Sequence, residues 1–382
     1  MKNNISNALI YSFLAVADLL SLLLVILDIY LWREWIFHRE SGVENGASGY
    51  LAAAILLLLY ITCGRFLTRI LISRTREGED QPQLDRCTEE HKLKRPDGSF
   101  IHFEECGTKG KPVLLFIHGL TATSQTWYYQ KKFFADEYHL IFMDLPGHGK
   151  SDRPANKDYS LERLSTDLYA VIEKVKPQEL IIWGHSMGGM CILTFLKYNF
   201  EHLQPIAGVI LQNTSYTNPL KTIKFNSLLS RIQHTVLKPL LHALIVLSPL
   251  VQVMRMLSYL NGHLHITIRL LVYAGTQSPQ QLEFSSRISA SSSVSAVANS
   301  ILAMFRYDAT EILDQIDIPV LIFAADRDVL TKPEASEKMN HSIPNSRLVK
   351  LAPSGHYGHV EQHQHVNAEA GNFIKSLVNK SI

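Results

Sequence analysis

Short apolar runs of strand length recur through the chain from residue 112 onwards, and most are followed by a stretch of helical pattern. The runs are rich in Ile, Val, Leu and Phe and cover residues 112–117, 139–143, 179–183, 207–211, 319–324 and 348–351. A strand that is apolar throughout is typical of a parallel sheet that is covered by helices on both faces. The alternation therefore predicts a mostly parallel, doubly wound α/β sheet.

Two segments of the chain depart from this alternation. A Pro-Asp-Gly turn at residues 96–98 lies between two extended stretches and predicts a β-hairpin ahead of the parallel strands. Between residues 213 and 308 only helical patterns occur, and Pro219, Pro239 and Pro249 interrupt them. Because this segment is too long for a structureless loop in a compact domain, we expect it to form a helical cap.

Residues 1–76 differ in composition from the rest and predict a membrane anchor. The run 8–32 is almost entirely apolar, and a helix of that length crosses a hydrocarbon core of roughly 30 Å. Asp18 interrupts this run at a cost of about 3 kcal/mol, which the surrounding Leu, Ile, Val and Phe side chains outweigh. A second apolar run, over 50–72, is long enough to span a membrane only if the side chains of the arginines near its end extend to the membrane surface. A cleaved signal peptide is the alternative, but the first run is too long and no small-residue cleavage site follows it.

The arginines after the second apolar run predict the orientation of the chain. They are Arg65, Arg69, Arg74 and Arg76. By the positive-inside rule this end of the anchor is cytoplasmic, so we expect the following domain to be cytoplasmic as well. Residues 77–86 are polar and read as a linker, which leaves residues 87–382 for the α/β domain.

Net charge and cysteine content exclude two classes of protein. The formal net charge is only +2, so no overall field favours nucleic acid as a partner. The four cysteines, Cys63, Cys87, Cys106 and Cys191, form no Cys-x-x-Cys pair and are too few for a disulfide framework. We therefore expect them to be unpaired in a reducing compartment.

The strand predicted over residues 179–183 leads directly into Gly-His-Ser-Met-Gly at 184–188, and a helical stretch follows. A sharp strand-to-helix turn needs small residues on both sides of the exposed serine, and Gly-x-Ser-x-Gly provides them. Ser186 is therefore the candidate nucleophile.

A second turn carries the candidate oxyanion donors. Residues 114–117 end in His118-Gly119-Leu120. Acyl transfer needs backbone N–H groups that point at the developing oxyanion, and glycine at a strand end permits the close approach. Leu120 and Met187 are the expected backbone donors, and His118 is expected to support the loop.

A base and an orienting acid follow two later strands. Asp326 and Asp328 come at the end of the run 319–324, and His356 comes just after the run 348–351. Serine is a weak nucleophile without an adjacent base, and a carboxylate must hold the base in the correct tautomer. Either acid could reach His356 from the same strand end.

Other polar motifs receive structural interpretations. The loop after residues 139–143 contains Asp144 among Pro and Gly residues, and this acid is expected to bind local backbone groups. Four histidines follow the last strand, but His363 and His365 point to different faces of a helix, so we expect no metal site. Nothing in the chain calls for a cofactor.

Together these motifs resemble the α/β-hydrolase superfamily, in its serine hydrolase and monoacylglycerol-lipase-like branch. The resemblance rests on His118-Gly119, on Asp144-Leu-Pro-Gly-His-Gly-Lys-Ser, on Gly-His-Ser186-Met-Gly-Gly, and on Gly355-His356 followed by Glu361. The family order of serine, acid and histidine is kept. The resemblance implies that Asp328, as the last acid of the family's Gly-x-x-Asp turn, completes the triad, although Ala325 replaces that glycine.

The resemblance implies a carboxylic ester hydrolase that acts on an acyl ester, such as a lipid or acylglycerol. Thioesterase and carbon–carbon bond hydrolase activities stay open on this fold. Related epoxide hydrolases and dehalogenases carry an aspartate at the elbow, where this chain has Ser186. A binding module on a hydrolase scaffold is the alternative from another class, and such proteins typically lack a triad member.

The cap has an unusual charge pattern. No acidic residue occurs between Glu201 and Glu283, and the basic residues there are Lys221, Lys224, Arg231, Lys238, Arg255 and Arg269. These alternate with apolar residues at helical spacing. The pattern fits an ordinary lid, or a lid that also docks on anionic membrane lipids.

Overall fold

A computed structural model describes residues 7–42, 46–74, 81–198, 206–222 and 232–378, with side chains from residue 16 onwards. Its strands are β1 (Glu89–Lys94), β2 (Phe100–Gly107), β3 (Val113–Ile117), β4 (His139–Met143), β5 (Leu180–His185), β6 (Ile206–Gln212), β7 (Val320–Ala325) and β8 (Ser346–Leu351). They form one sheet in the order β1-β2-β4-β3-β5-β6-β7-β8. Strands β1 and β2 pair antiparallel, as do β2 and β4, and all the other pairs are parallel.

This sheet confirms the fold class that the sequence predicts. Each of the six apolar runs forms a strand, and the Pro-Asp-Gly turn joins the β1–β2 hairpin. Strands β3, β5 and β7 are buried at every position, as expected for central strands covered on both faces. The carboxyl ends of the parallel strands share one edge, so residues that follow β3, β5, β7 and β8 can converge there.

Helices cover both faces of the sheet. One face packs against α4 (Leu161–Val175) and α5 (Met187–Tyr198), and the other packs against α3 (Tyr128–Phe134) and the C-terminal helix, residues His363–Val378. Helix α4 shows how the sequence produces such a layer. Its apolar side chains Leu164, Leu168 and Val171 share one face and are buried, and the Ser160 side chain caps its first turn.

The segment between β6 and β7 forms the helical cap that the sequence predicts. Its helices are α6 (Pro219–Thr222), α7 (Lys238–Val246), α8 (Ser248–Leu260), α9 (His263–Leu271), α10 (Pro279–Ser291) and α11 (Val294–Met304). A π-helical turn, Gln233–Leu237, leads into α7. The helical segment made of this turn and α7 (Gln233–Val246) meets α8 at an angle of 88°. Pro249 in the first turn of α8 fits this sharp change of direction.

Two further helices complete the α/β part of the chain, and two precede it. The two in the α/β part are α12 (Pro333–Ser342) and the short α13 (Gly358–Glu361). The C-terminal helix His363–Val378, described above, is α14. The N-terminal pair is α1 (Asn7–Glu40) and α2 (Ala47–Leu71), and both contact α8 and α9 of the cap. The N-terminal unit therefore packs on the cap.

The N-terminal pair carries many exposed apolar side chains. By length and composition, α2 could cross a membrane, and among the described residues only the bent pair of α7 and α8 could add a second crossing. The crossing predicted over 8–32 lies in α1, whose side chains before residue 16 are outside the described part. The membrane crossing by residues 8–32 therefore stays a prediction.

The cysteines and the cap charges differ from what the sequence predicts. Cys87 and Cys106 form a disulfide, so the prediction of unpaired cysteines is wrong for this pair, while Cys63 and Cys191 are free. The Cys87 N–H donates to Glu104 Oε2 at 2.9 Å, which holds the segment before β1 alongside β2 and brings the two cysteines together. Sequence spacing could not show this pairing because the contact is tertiary.

The basic cap surface is smaller than the sequence suggests. Arg255 is buried beside Asp18 of α1, and Lys221 pairs with Asp308 at 3.2 Å. Lys224 and Arg231 lie outside the described residues. The described part of the cap therefore gives little support to an electrostatic docking surface. Membrane contact through the exposed apolar side chains of α1 and α2 would not depend on these charges.

Candidate active site

Ser186 stands on the sharp turn between β5 and α5. Its φ of +53° lies in the left-handed region, which is strained for a residue with a side chain. Gly184 and Gly188 make the turn possible, since a Cβ on Gly188 would lie 2.2 Å from the Ile117 carbonyl oxygen and one on Gly184 would lie 2.6 Å from the Gly188 carbonyl carbon. The motif therefore forms the elbow that the sequence predicts.

His356 and Asp328 are brought together from the ends of β8 and β7. The Nδ1 of His356 donates to Asp328 Oδ2 at 2.8 Å, and both residues are buried. Asp326 instead accepts the Ser354 N–H at 2.8 Å and is 41% exposed. The structure therefore places Asp328, and not Asp326, against the histidine.

The remaining contacts of the Asp328 carboxylate come from Asn213, Leu330 and Thr331, which sequence reasoning missed. The backbone N–H groups of Leu330 and Thr331 donate to Asp328 Oδ1 at 2.8 and 2.9 Å. Asn213 Nδ2 donates to Asp328 Oδ2 at 3.1 Å, and the Thr331 hydroxyl donates to the same oxygen at 2.8 Å. Burial alone would raise the pKa of Asp328, but adjacent His356 and these hydrogen bonds hold it below its ordinary value. The carboxylate is therefore ionised, and an ionised partner stabilises a protonated His356.

The turn after β3 lies directly against the serine. A Cβ on Gly119 would lie 2.9 Å from Ser186 Cβ, so only glycine fits there. Leu120 follows this contact, and Met187 begins helix α5. These positions are suitable for two backbone N–H groups that face one oxyanion.

His118 forms hydrogen bonds with the backbone of its own turn and with the backbone of the loop after β4. Its Nδ1 donates to the Gly119 carbonyl at 2.7 Å, and its Nε2 accepts the Leu145 N–H at 3.0 Å. Burial lowers the pKa of His118, and the acceptor role of Nε2 requires the neutral ring. His118 therefore joins two loops.

Asp144 is the centre of a buried network beneath the same loops. It accepts the N–H groups of Ser124 at 2.7 Å and Lys150 at 3.0 Å, the Nδ1–H of His102 at 3.1 Å and an N–H of Arg86 at 3.3 Å. Burial opposes ionisation of Asp144, but His102 and the nearby charges hold its pKa below the ordinary range. Arg86 lies in the segment interpreted as a linker, and no pattern in the sequence indicated its role.

Glu361 positions the loop that carries His356. Its carboxylate accepts the Gly355 N–H at 2.7 Å and the Ala274 N–H at 2.9 Å. The Tyr357 N–H donates to the Val272 carbonyl at 3.1 Å, so the histidine loop is bound on both sides to the segment after α9. The position of His356 is therefore coupled to the cap.

Ser186 and His356 line a common cavity of about 180 Å³ between the sheet and the cap. Its wall is mostly apolar and includes Leu120, Leu241 and Ile301. An apolar cavity with a few polar groups at one point is typical of a small-molecule site. Such a cavity suits an apolar chain attached to a reactive carbonyl.

Among the residues that the structure describes, two groups of histidine and carboxylate side chains have ligand atoms close enough to share a metal ion. They are Glu89, His91 and Glu105 on the hairpin, and His102, Glu104 and Asp144 beneath the loops. In the second group Arg86 already binds both acids, and in the first group Lys109 binds Glu89. Neither group borders the cavity, and salt bridges account for both.

Comparison with known proteins identifies the family. Residues 112–362 match the alpha/beta hydrolase fold family. The chain belongs to this family. A solved esterase from Exiguobacterium antarcticum has the same fold, with a TM-score of 0.61 and 23% identity over 74% of this chain and 98% of that one.

Several relatives of this α/β hydrolase have assigned activities. It is 28% identical over 131 residues to human epoxide hydrolase 4, a match that covers 31% of this chain and 36% of that protein. It is 26% identical to 3-oxoadipate enol-lactonase 2 of Acinetobacter baylyi, over 70% of this chain and 90% of that protein. The chain spans between 24% and 50% of the length of the epoxide hydrolases that it matches.

The contact between His356 and Asp328 leads to a prediction that separates the two acids. Asp328→Asn keeps the shape of the side chain but removes the charge that orients His356, so kcat for ester hydrolysis should fall by on the order of 10³ to 10⁴. Asp326→Asn is the matched control and should change kcat by less than about twofold, because its contact is with a backbone N–H. Comparable losses in both variants would contradict the assignment of Asp328.

Proposed function

We propose that this α/β hydrolase is a serine hydrolase of carboxylic esters with the catalytic triad Ser186, His356 and Asp328. The observation that carries the proposal is the placement of Ser186 on a strained elbow in the same cavity as a histidine already bound to a buried carboxylate. Because Asp328 occupies Nδ1 of His356, Nε2 is the ring nitrogen that can accept the serine proton.

The reaction then follows the acyl-enzyme route. Ser186 Oγ attacks the ester carbonyl while its proton passes to His356 Nε2, and the N–H groups of Leu120 and Met187 stabilise the oxyanion. Collapse of this intermediate breaks the bond to the alcohol, which leaves with the proton from His356. Water, deprotonated by the same histidine, then releases the acid and restores the serine.

The chemistry of serine argues against epoxide hydrolysis, although several relatives carry that name. Attack of Ser186 on an epoxide would form an alkyl ether, which has no carbonyl for water to attack and would leave the enzyme blocked. Attack on an ester or lactone forms an acyl ester that water can cleave. The lactone-cleaving relative is therefore the better guide to the reaction, and the apolar cavity wall supports a lipid or acylglycerol substrate.

Replacement of the nucleophile gives the direct test of this proposal. Ser186→Ala should abolish both ester hydrolysis and labelling by a fluorophosphonate probe, because the acyl-enzyme and the probe adduct both form on Ser186 Oγ. The unfolding temperature should change little, since the substitution removes one oxygen atom. The control is Ser295→Ala in the cap, outside the residues that line the cavity, which should keep both activities. Hydrolysis by a folded Ser186→Ala protein would refute the mechanism.

Membrane lipid contact by the cap is part of the proposal. The bend between α7 and α8 carries Val246 and Leu247, which are 78% and 51% exposed, and Val253 within α8 is 59% exposed. Exposed apolar side chains also occur along α1 and α2, and exposed apolar surface of this kind is typical of membrane contact. A cap held at the membrane would give a lipid substrate a short apolar path to the cavity.

Depth-dependent fluorescence quenching tests this contact in the full chain reconstituted in nanodiscs. A fluorophore attached to Leu247→Cys, in a Cys63→Ser background, should be quenched strongly by lipids with nitroxides on their acyl chains. The matched control is Lys338→Cys on α12, which is exposed and should escape quenching. Equal quenching at the two positions would contradict membrane contact by the cap.

We propose a cytoplasmic orientation for the catalytic domain from the arginines that follow the second apolar run. Two observations weigh against it. Arg65 stacks over Tyr259 with its guanidinium carbon 4.7 Å from the ring centroid, and Arg69 lies 3.8 Å from Glu283, so both have packing roles. The Cys87–Cys106 disulfide is typical of an oxidising compartment.

Glycosylation in a eukaryotic host distinguishes the two orientations. In the catalytic domain the sequence contains the acceptor motifs Asn340-His-Ser and Asn379-Lys-Ser, and a third, Asn213-Thr-Ser, whose asparagine is buried beside Asp328. A cytoplasmic domain should show no mobility shift after treatment with an N-glycosidase. A shift that disappears in Asn340→Gln/Asn379→Gln would place the domain on the opposite side of the membrane and reject the arginine-based orientation.

A further inference from the structure

The residue before the candidate nucleophile, His185, is bound to the backbone of the candidate base. His185 ends strand β5, and its side chain is fully buried. Its ring Nε2 lies 3.0 Å from the His356 carbonyl oxygen, whereas the ring of His356 is bound to Asp328. The backbone and the ring of His356 are therefore held by two different residues. Because His185 directly precedes Ser186, its hydrogen bond connects the backbone of the base to the backbone of the nucleophile.

The surroundings of the His185 ring fix its protonation state. A carbonyl oxygen can only accept a hydrogen bond, so Nε2 of His185 carries the proton. Nδ1 is buried and has no hydrogen-bond partner among the described residues. A second proton there would create a buried charge with an unsatisfied N–H group, which is costly. Burial and the nearby rings of His359 and His356 hold the pKa of His185 well below its ordinary value. His185 is therefore a neutral donor.

The Nδ1 edge of the ring faces the turn that carries an expected oxyanion donor. A Cβ on Gly119 would lie 2.8 Å from His185 Nδ1 and 2.9 Å from Ser186 Cβ. Glycine therefore lets the ring and the serine approach the turn at the same point, and Leu120 follows directly. One rigid ring thus contacts the oxyanion turn and bonds to the backbone of the base, while its own backbone leads into the nucleophile.

The titratable side chains around the His185 ring are neutral when the base is unprotonated. The rings of His356, Tyr357 and His359 lie 4.7, 5.3 and 4.5 Å from it between centroids. Burial lowers the pKa of His359 to about 3 and raises that of Tyr357 to about 12. His118, also neutral, is the remaining titratable group nearby. A charge on His185 would oppose protonation of His356, so a neutral ring can hold the base without competing for the serine proton.

We propose that His185 is a positioning residue, whose neutral ring holds the backbone of His356 at a fixed distance from Ser186 through one donated hydrogen bond. The inference rests on the proposed ester hydrolase function. His185 does not line the cavity, so it acts on the reaction through His356 and not through the substrate. A displacement of a reacting group by about 1 Å can reduce turnover by about 10²-fold. Loss of the donor should therefore lower kcat and leave KM nearly unchanged.

Two substitutions separate the hydrogen bond from the volume of the ring. Gln can donate its amide N–H to the His356 carbonyl, whereas Met fills the space without a donor. The substrate is p-nitrophenyl butyrate, and the full chain is reconstituted in nanodiscs. His185→Met should lower kcat by about 10- to 100-fold, with KM changed by less than about threefold. His185→Gln should keep kcat within about fivefold of the wild-type value. The rate of fluorophosphonate labelling should follow kcat in both variants.

His148→Met is the matched control. His148 is a buried histidine whose Nδ1 donates to the Pro146 carbonyl at 3.0 Å, and its other ring nitrogen has no partner among the described residues. This variant loses an equivalent ring and hydrogen bond away from His356, so kcat should stay within about threefold of wild type. The acidic limb of the pH dependence of kcat/KM should lie at the same pH in wild type and His185→Gln, because it reports His356 alone.

Equal losses of kcat in His185→Met and His185→Gln would assign the effect to packing of the ring and overturn the inference. Wild-type turnover in His185→Met, a rise in KM without a fall in kcat, or a shifted acidic limb in His185→Gln would overturn it as well. If His185→Met does not fold, His185→Asn replaces it, because the shorter amide does not reach the carbonyl, and equal kcat in the Asn and Gln variants then rejects the inference. Failure of the wild-type protein to cleave the ester or to react with the probe would instead contradict the proposed ester hydrolase.

Discussion

The geometry of the candidate site depends on the close approach of helix α5 to the end of strand β3. Gly188 lets the first turn of the helix reach the Ile117 carbonyl, at a distance that no Cβ could tolerate. This approach holds Ser186 in the left-handed conformation and puts it beside Gly119. The cost of the strained backbone is offset by the surrounding buried sheet, which fixes both ends of the turn.

Buried carboxylates then hold the loops around this turn. Asp144 binds backbone and side-chain donors beneath the nucleophile, and Glu361 binds the loop before His356 to the segment after α9. An ionised carboxylate can accept several N–H groups at once, so a single residue can fix two loops that are distant in sequence. Asp328 likewise accepts several hydrogen bonds at once and fixes the position of His356. The geometry of the candidate site therefore rests on buried acids that do not line the cavity.

Helix α1 contributes Asp18 to the cavity wall as well as forming part of the proposed anchor. In the sequence, Asp18 is a polar interruption of an apolar run that a membrane helix can tolerate. In the structure it faces Arg255 across the contact between α1 and the cap. The cap is thus bordered by the sheet on one side and by the N-terminal unit on the other. The cavity and the proposed anchor are linked through this contact.

The sequence by itself determined the α/β sheet, the helical cap and the residues of the elbow, because apolar periodicity and glycine spacing are local properties that survive in the linear chain. It also brought His356 and two possible acids to the same sheet edge. Only the tertiary structure decided between Asp328 and Asp326, paired Cys87 with Cys106, and joined Asp18 to Arg255. Each of these contacts links elements whose separation in space is set by packing, and a linear pattern contains no information about that distance.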